Sequence, residues 1–505
     1  MIDGREGRSR WELEVSLQDG ASESLFIRLS RTIQEDIRKG RLRAGDRLPS
    51  TRKLALELGL HRNTVLAGYD DLLAQGWVTT RRGGGTLVSE TLRGAPSLSK
   101  TSDRLSWAQA GFDLPDQPVA QADVPVFPRG TLVLIRGAPD VRLLPVSILA
   151  RAYRRAMTRH GRSVLMLGPS QGHPQLREAL SAMLAATRGI TAPASAILVT
   201  RGSTMGIALG AKALLAPGDG VAVEALGYRG CWEAMQLSGA RLFPVPIDGD
   251  GIQMEALKKL VQRHRIRAVY VTPHHQFPTT RVMSAGRRLQ LLELAREQRL
   301  VIFEDDYDHE FHYDGRQVLP LASQDRAGVV LYLATLSKTL APGLRLGFAV
   351  APQPLIERMT GLRRILDVQG DLAMEYALAE LFEDGVLQRH MRRMRRTYRL
   401  RRNAFVEALQ EHLGSALTFE IPQGGMALWA KVSNDIDIDA WAAQALEHGV
   451  AFRGARPYSF AGEKLPFVRL GFSPWTEAEL REAARRMARA LKGLPARLRR
   501  RPATG

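Results

Sequence analysis

Lys338 stands in the run TLSKTLAPGLRLGF, close to Thr335, Ser337 and Arg345. An amine at the end of an apolar strand can form a Schiff base with an aldehyde, while neighbouring hydroxyls and a guanidinium hold a phosphate. Together these are the demands of a pyridoxal 5'-phosphate site. The chain offers the remaining pieces elsewhere. Thr200-Arg201-Gly202-Ser203-Thr204 falls between an expected strand and a helix expected over residues 205–215, so the N–H groups of Ser203 and Thr204 can meet a phosphate at a helix N-terminus. Tyr228 can stack on a ring. Asp305, at the C-terminal end of an apolar strand, can pair with a pyridinium nitrogen and keep it protonated, with Tyr307 placed for the phenolic oxygen.

A second chemistry lies in residues 48–88. His61, Arg62, Asn63 and Thr64 open a helix whose N-terminal turn would enter a major groove and read base edges. Ser50, Thr51 and Arg52 start the preceding helix and suit phosphates, and Arg81, Arg82 and Gly84 would present a wing to the adjacent groove. A solvated helix pair is the plainer reading of such a segment. The three-helix register followed by a glycine-tipped hairpin favours double-stranded DNA, and a net charge of +19 fits an anionic partner.

The elements that position these residues follow from periodicity. Leu25, Phe26, Leu29, Ile33 and Ile37 recur at helical spacing over residues 22–39. A second helix carries Leu54, Ala55 and Leu58 up to Gly59, and a third spans about 61–75 with Val65, Gly68, Tyr69 and Leu72 inward. Strands at 76–81 and 86–89, joined by Gly83-Gly84-Gly85, close a winged helix-turn-helix domain over residues 22–89. Periodicity then vanishes in a linker, 90–128. From 129 to 494, apolar runs (196–200, 220–225, 268–273, 300–306 and 329–337) alternate with helical stretches, which predicts an α/β domain with a parallel sheet covered on both faces. A smaller α+β region over 355–492 completes it.

Other features bound the function. A single cysteine, Cys231, excludes an intramolecular disulfide framework and reads as a structural thiol. With no apolar leader and no run long enough to span a membrane, a soluble cytoplasmic protein is expected. The run Glu304 to Glu310 with His312 invites a metal reading, set aside because no matching ligand cluster stands elsewhere in the sequence. The arginine run 389–402 reads as an exposed helix face; it and the tail Arg497 to Arg501 are also placed to touch DNA.

The winged-helix segment, with GRLRAGDRLPSTRKLA leading into its second helix, resembles the GntR-type repressors along its full length. The segments GHPQLREAL, RGSTMGIALGAKALLAPGD, VTPHHQFPTT, FEDDYDHEFHYDG, LSKTLAPGLRLGF and VRLGFS fall in the order of fold-type I aminotransferases. The pairing resembles the MocR/GabR subfamily of GntR regulators over about residues 22–492. The resemblance implies a multidomain chain in which Lys338 is the aldimine lysine, Asp305 the ring-nitrogen partner, Tyr307 the phenolate contact and Arg345 a phosphate ligand. It further implies that Arg469 clamps a carboxylate, which suits a bidentate guanidinium. Its functional implication is a regulator that senses an amino compound, or pyridoxal phosphate itself, through Lys338. A working aminotransferase with an appended DNA-binding domain is the alternative. A domain-swapped, head-to-tail homodimer is implied as well. Leu165-Met166-Leu167, His274-His275-Gln276 and Pro278-Thr279-Thr280 depart from the family's usual residues.

Overall fold

The computed structural model describes residues 23–93, 110, 112–113, 125–315 and 318–495. Residue 22, most of the expected linker and the basic tail Arg497–Arg501 lie outside them. The chain divides into two compact units, Met1–Ala122 and Asp123–Gly505.

The first unit holds helices α1 (Leu25–Arg38), α2 (Thr51–Leu58) and α3 (Arg62–Ala74) and a hairpin of β1 (Val78–Arg81) and β2 (Gly85–Val88). Ser50 caps α2 by accepting the Lys53 N–H at 3.3 Å, and Gly59 ends it in the left-handed conformation. Eight residues are too few for a stable isolated helix. Burial of Leu54 and Ala55 against Leu29, Ile33, Val65, Tyr69 and Leu72 holds α2 instead, at about 2 kcal/mol for each fully buried aliphatic side chain. Gly68 lets α1 come close, since a Cβ there would stand 3.2 Å from the Leu29 side chain. Glu90–Leu92 adds a short turn whose Leu92 packs on this core, so ordered backbone runs past β2.

The second unit is built on a seven-stranded sheet. Its strands are β3 (Ile197–Thr200), β4 (Gly220–Glu224), β5 (Arg241–Val245), β6 (Ile266–Val271), β7 (Val301–Asp306), β8 (Val330–Thr335) and β9 (Gly347–Val350), in the spatial order β3-β9-β8-β7-β6-β4-β5. Every expected strand is present, but the sheet is mixed rather than parallel, because β9 runs antiparallel to both β8 and β3. A short connection explains the reversal: β8 returns directly into β9 without the crossover helix that a parallel pair needs. That connection carries Lys338 and Arg345, and the pairing of Thr335 with Gly347 clamps its base.

The period of two then sorts the sheet's faces. Ile302, Tyr332 and Val271 join one buried cluster, whereas Phe303, Leu333 and Tyr270 join the other. Asp305 therefore sits on the Phe303 side and Asp306 on the opposite one. The smaller region holds an antiparallel sheet of Leu417–Phe419, Ala427–Val432 and Phe467–Gly471, packed on helices Val386–Leu413 and Glu477–Lys492. Leu132–Val133 pairs with Val450–Ala451 and leads the backbone toward Lys338. Among the described residues, no helix is long and apolar enough to cross a membrane.

Candidate functional site

At the C-terminal ends of β7 and β8, the structure brings Lys338, Asp305, Tyr307, Tyr228 and Arg469 into one electrostatic neighbourhood. The Lys338 amine donates to the Gly137 carbonyl at 2.8 Å. Burial pushes it down to about 8, and the Arg469 guanidinium adds to the push. Asp305 is buried, and burial raises its carboxyl to about 6. Its Oδ2 accepts the Tyr270 hydroxyl at 2.9 Å and the Cys231 thiol at 3.8 Å, while Oδ1 is buried with no partner among the described residues. A protonated ring nitrogen would satisfy that oxygen, so the residue fits a pyridoxal ring. Cys231, expected to be only structural, thus touches the Asp305 carboxylate.

The residues expected to hold a phosphate converge on the start of α4 (Ser203–Leu214). Gly202 is its N-cap with φ 81°, and a side chain there would come 3.1 Å from the Arg345 guanidinium. Only glycine lets that cation approach the helix end. The N–H groups of Ser203 and Thr204 belong to the first turn, where no carbonyl of the helix can accept them. Arg345, itself at φ 48°, donates to the Arg201 carbonyl at 2.9 Å. Ser337 Oγ is buried without a partner. Thr335 departs from expectation: its hydroxyl donates to Leu346 O at 3.3 Å and accepts the Ser337 N–H at 3.1 Å, so it fastens the loop's own backbone rather than facing a phosphate.

Tyr228 precedes α5 (Arg229–Gln236) and stands half exposed, edge-on to Phe277 at 5.7 Å. Tyr307 donates to the His275 carbonyl at 3.0 Å, and burial keeps its phenol protonated. Arg469 lies on Phe467–Gly471 with its guanidinium 4.6 Å from the centre of the Phe277 ring. Its Nε is buried and has no partner among the described residues, so it keeps a free donor. Sequence reasoning missed Tyr270, Phe277 and the Gly137 carbonyl. Only Tyr270 carried a signal, a hydroxyl within the otherwise apolar run 268–271. Of the departing segments, Leu165, Met166 and Leu167 are exposed, and Thr280 takes a left-handed φ of 62°.

Two sequence readings are corrected here. His274 and His275, just beyond β6, lie against His309 and His312 beyond β7, so side chains that could hold a metal meet in the fold although the sequence keeps them apart. Within the arginine run, Arg389, Arg392, Arg393, Arg395, Arg396 and Arg399 are exposed as expected. Arg401 and Arg402 are buried instead, with Arg401 donating to Asp140 Oδ2 at 2.9 Å and Arg402 to the Pro422 carbonyl at 2.7 Å.

In the first unit, Arg62 and Asn63 are exposed at the start of α3 and Thr64 is half-buried. His61 differs in role: its Nδ1 accepts the Asn63 N–H at 3.2 Å, so the ring caps α3 and only its other nitrogen remains for a base. Ser50 and Arg52 are exposed and Thr51 half-buried. Gly83 and Gly85 turn the wing with φ of 75° and 79°, leaving Arg81 and Arg82 exposed and Gly84 against the Arg81 side chain. Arg47, which was not singled out, packs over Gly85 and adds a cation to the wing.

The family model described as aminotransferase class I and II matches residues 137–487, and that of the gntR family of bacterial regulatory proteins matches residues 28–88. The chain is 32% identical to the probable rhizopine catabolism regulatory protein MocR of Rhizobium meliloti, covering 86% of this chain and 87% of that one. It is 31% identical to the transcriptional regulator TauR of Rhodobacter capsulatus over 94% of this chain and 98% of that protein. Among solved structures, LysN of Thermus thermophilus, an alpha-aminoadipate aminotransferase complexed with N-(5'-phosphopyridoxyl)-L-leucine, superposes with a TM-score of 0.67. Its identity is 29%, over 72% of this chain and 93% of that one.

Proposed function

The chain belongs to the MocR-type GntR regulators, a gntR-family DNA-binding domain joined to an aminotransferase class I and II domain, and we propose that it regulates transcription by sensing an amino compound at Lys338. Pyridoxal 5'-phosphate is the cofactor of this reading. The observation that carries it is one set of buried groups lacking the partners that cofactor and amino acid would supply: Asp305 Oδ1, Ser337 Oγ and Arg469 Nε, beside the Lys338 amine.

When bound, pyridoxal phosphate supplies an aldehyde that captures primary amines and an electron-withdrawing ring. The chain's own residues do the rest. Asp305 holds a proton on the ring nitrogen, and Arg345 with the N–H groups of Ser203 and Thr204 holds the phosphate. With its amine near 8, Lys338 keeps about a tenth of it neutral at pH 7 and can pass a proton to and from a bound amine. Arg469 would orient a carboxylate, Tyr307 would turn its hydroxyl from the His275 carbonyl to hydrogen-bond the ring's oxygen, and Tyr228 would stand over the ring. On DNA, Arg62 and Asn63 read base edges, Ser50, Thr51 and Arg52 hold phosphates, and Arg81, Arg82 and Gly84 carry the wing to the adjacent groove.

The protein acts in the cytoplasm as a head-to-tail homodimer on two half-sites, and effector binding favours one spacing of the winged helices. The effector shifts that equilibrium only by its differential affinity for the two arrangements. A second reading, a working aminotransferase, is favoured by the likeness to LysN. One experiment addresses both. Cofactor-loaded protein is mixed with a panel of amino compounds, and the visible cofactor band, operator occupancy and keto-acid release are followed together. The sensing reading expects a compound that shifts band and occupancy without sustained keto-acid release. Turnover with no change in occupancy would replace it with the second reading.

A further inference from the structure

β6 and β7 are adjacent parallel strands, so the segments that follow them, with His274 and His275 on one and His309 and His312 on the other, emerge at the same edge of the sheet. Four of the chain's 11 histidines meet in that buried volume, a concentration that asks for a cause. The ring of His274 lies 4.3 Å from that of His275, 4.6 Å from His309 and 6.0 Å from His312. Among the described residues, both ring nitrogens of His274, Nε2 of His275 and Nδ1 of His312 are buried without a hydrogen-bond partner. Leaving such atoms unsatisfied is costly, so something must meet them.

We propose that His274, His275 and His312 bind one divalent transition-metal ion of the zinc class, leaving a fourth position to water. Ligand nitrogens of the three residues lie within 4.8 Å of one another. A tetrahedron with ~2.0 Å bonds has an edge of about 3.3 Å, a difference that small side-chain rotations close. Imidazole suits zinc and its late first-row neighbours rather than magnesium or calcium. Asp308 orients the set: its Oδ1 is 2.8 Å from His275 Nδ1, which turns Nε2 toward the cluster, and its charge lowers the cost of burying a dication. Gly424 leaves the room, since a Cβ there would collide with His275 Nε2. The alternative trio of His274, Asp306 and His309 is less suited, because Asp306 Oδ2 already accepts from Tyr332 at 2.7 Å and pairs with His309 at 2.9 Å. An ion here would fix the carbonyl of His275, which accepts the Tyr307 hydroxyl, and so steady one wall of the Lys338 site. The metal site itself stands apart from the sensing role.

The test uses the full-length, cofactor-loaded protein, stripped with a chelator and titrated with cobalt(II). One equivalent of cobalt per chain should survive gel filtration, show the visible d–d bands of a tetrahedral ion and be displaced by zinc. His274→Ala and His312→Ala should each abolish retention, Asp308→Asn should lower affinity by about 10- to 100-fold, and His448→Ala, at an exposed site, should change nothing. If either alanine variant misfolds, the wild-type titration and Asp308→Asn decide. Failure of the wild type to retain cobalt overturns the proposal and assigns the orphaned nitrogens to buried water. Retention undiminished in folded His274→Ala or His312→Ala, or in Asp308→Asn, overturns it as well.

Discussion

The start of α3 and the pocket around Lys338 use polar side chains in opposite ways. At α3, Arg62 and Asn63 stand in water and the buried residues Val65, Tyr69 and Leu72 carry the fold. Beside Lys338, Asp305, Ser337 and Arg469 are themselves buried, and each holds a polar atom that lacks a partner among the described residues. An exposed base reader costs the free protein almost nothing, whereas each orphaned buried group costs about 1–3 kcal/mol. The first region is therefore built to leave stability untouched when it changes. The second trades stability for a place where a ligand completes the structure.

Four measurements sharpen or break that contrast. Lys338→Ala should abolish the visible band of the covalently held cofactor without lowering the melting temperature of the cofactor-free protein, since a desolvated amine is removed; a clear drop in that temperature would contradict the contrast. Asp305→Asn keeps the shape but removes the charge facing the ring nitrogen. It should weaken cofactor binding by roughly 10- to 100-fold, the worth of a charge-assisted hydrogen bond, as read by fluorescence titration, and a change under about twofold would argue against that role. On the exposed side, Arg62→Ala should cost about 1–3 kcal/mol at one base pair and relax sequence preference there. Arg52→Ala should weaken all sequences alike and reduce the salt slope by about one unit. Equal losses on specific and random DNA for both variants would remove the distinction. The smallest effect is on pH. Below about 8 the Lys338 amine is protonated and cannot attack an aldehyde, and above it the neutral amine dominates. Loading of cofactor-free protein with pyridoxal phosphate should thus quicken by about tenfold between pH 7 and 9 and then level off. A flat profile would mean that burial does not set this amine.

Much of both regions could be read from the chain because it depends on local order. The apolar run into Asp305 fixes a strand and its end, and Gly202 before Ser203 marks a strand-to-helix turn. What could not be read depends on partners far away in sequence. The reversal of β9 is decided by its connection to β8, not by its residues, and β5 carries an exposed arginine and Pro244 at a sheet edge, which blurs a strand pattern. Arg401 looks like a solvated charge until Asp140, 261 residues distant, is folded against it. His274 and His312 meet only because β6 and β7 pair. His61 shows the converse limit: a residue of the right type at the right turn is used for capping, which only coordinates reveal.

The central claim is that the Lys338 pocket governs the winged helix through a small ligand. Operator-binding isotherms for the cofactor-free and cofactor-loaded protein, each with and without the amino compound that shifts the cofactor band, test it most directly when run beside Lys338→Ala. The account predicts an affinity change on adding the compound that requires both cofactor and Lys338, with basal binding preserved in the variant. Isotherms that coincide across all conditions, or a full response in Lys338→Ala, would contradict it.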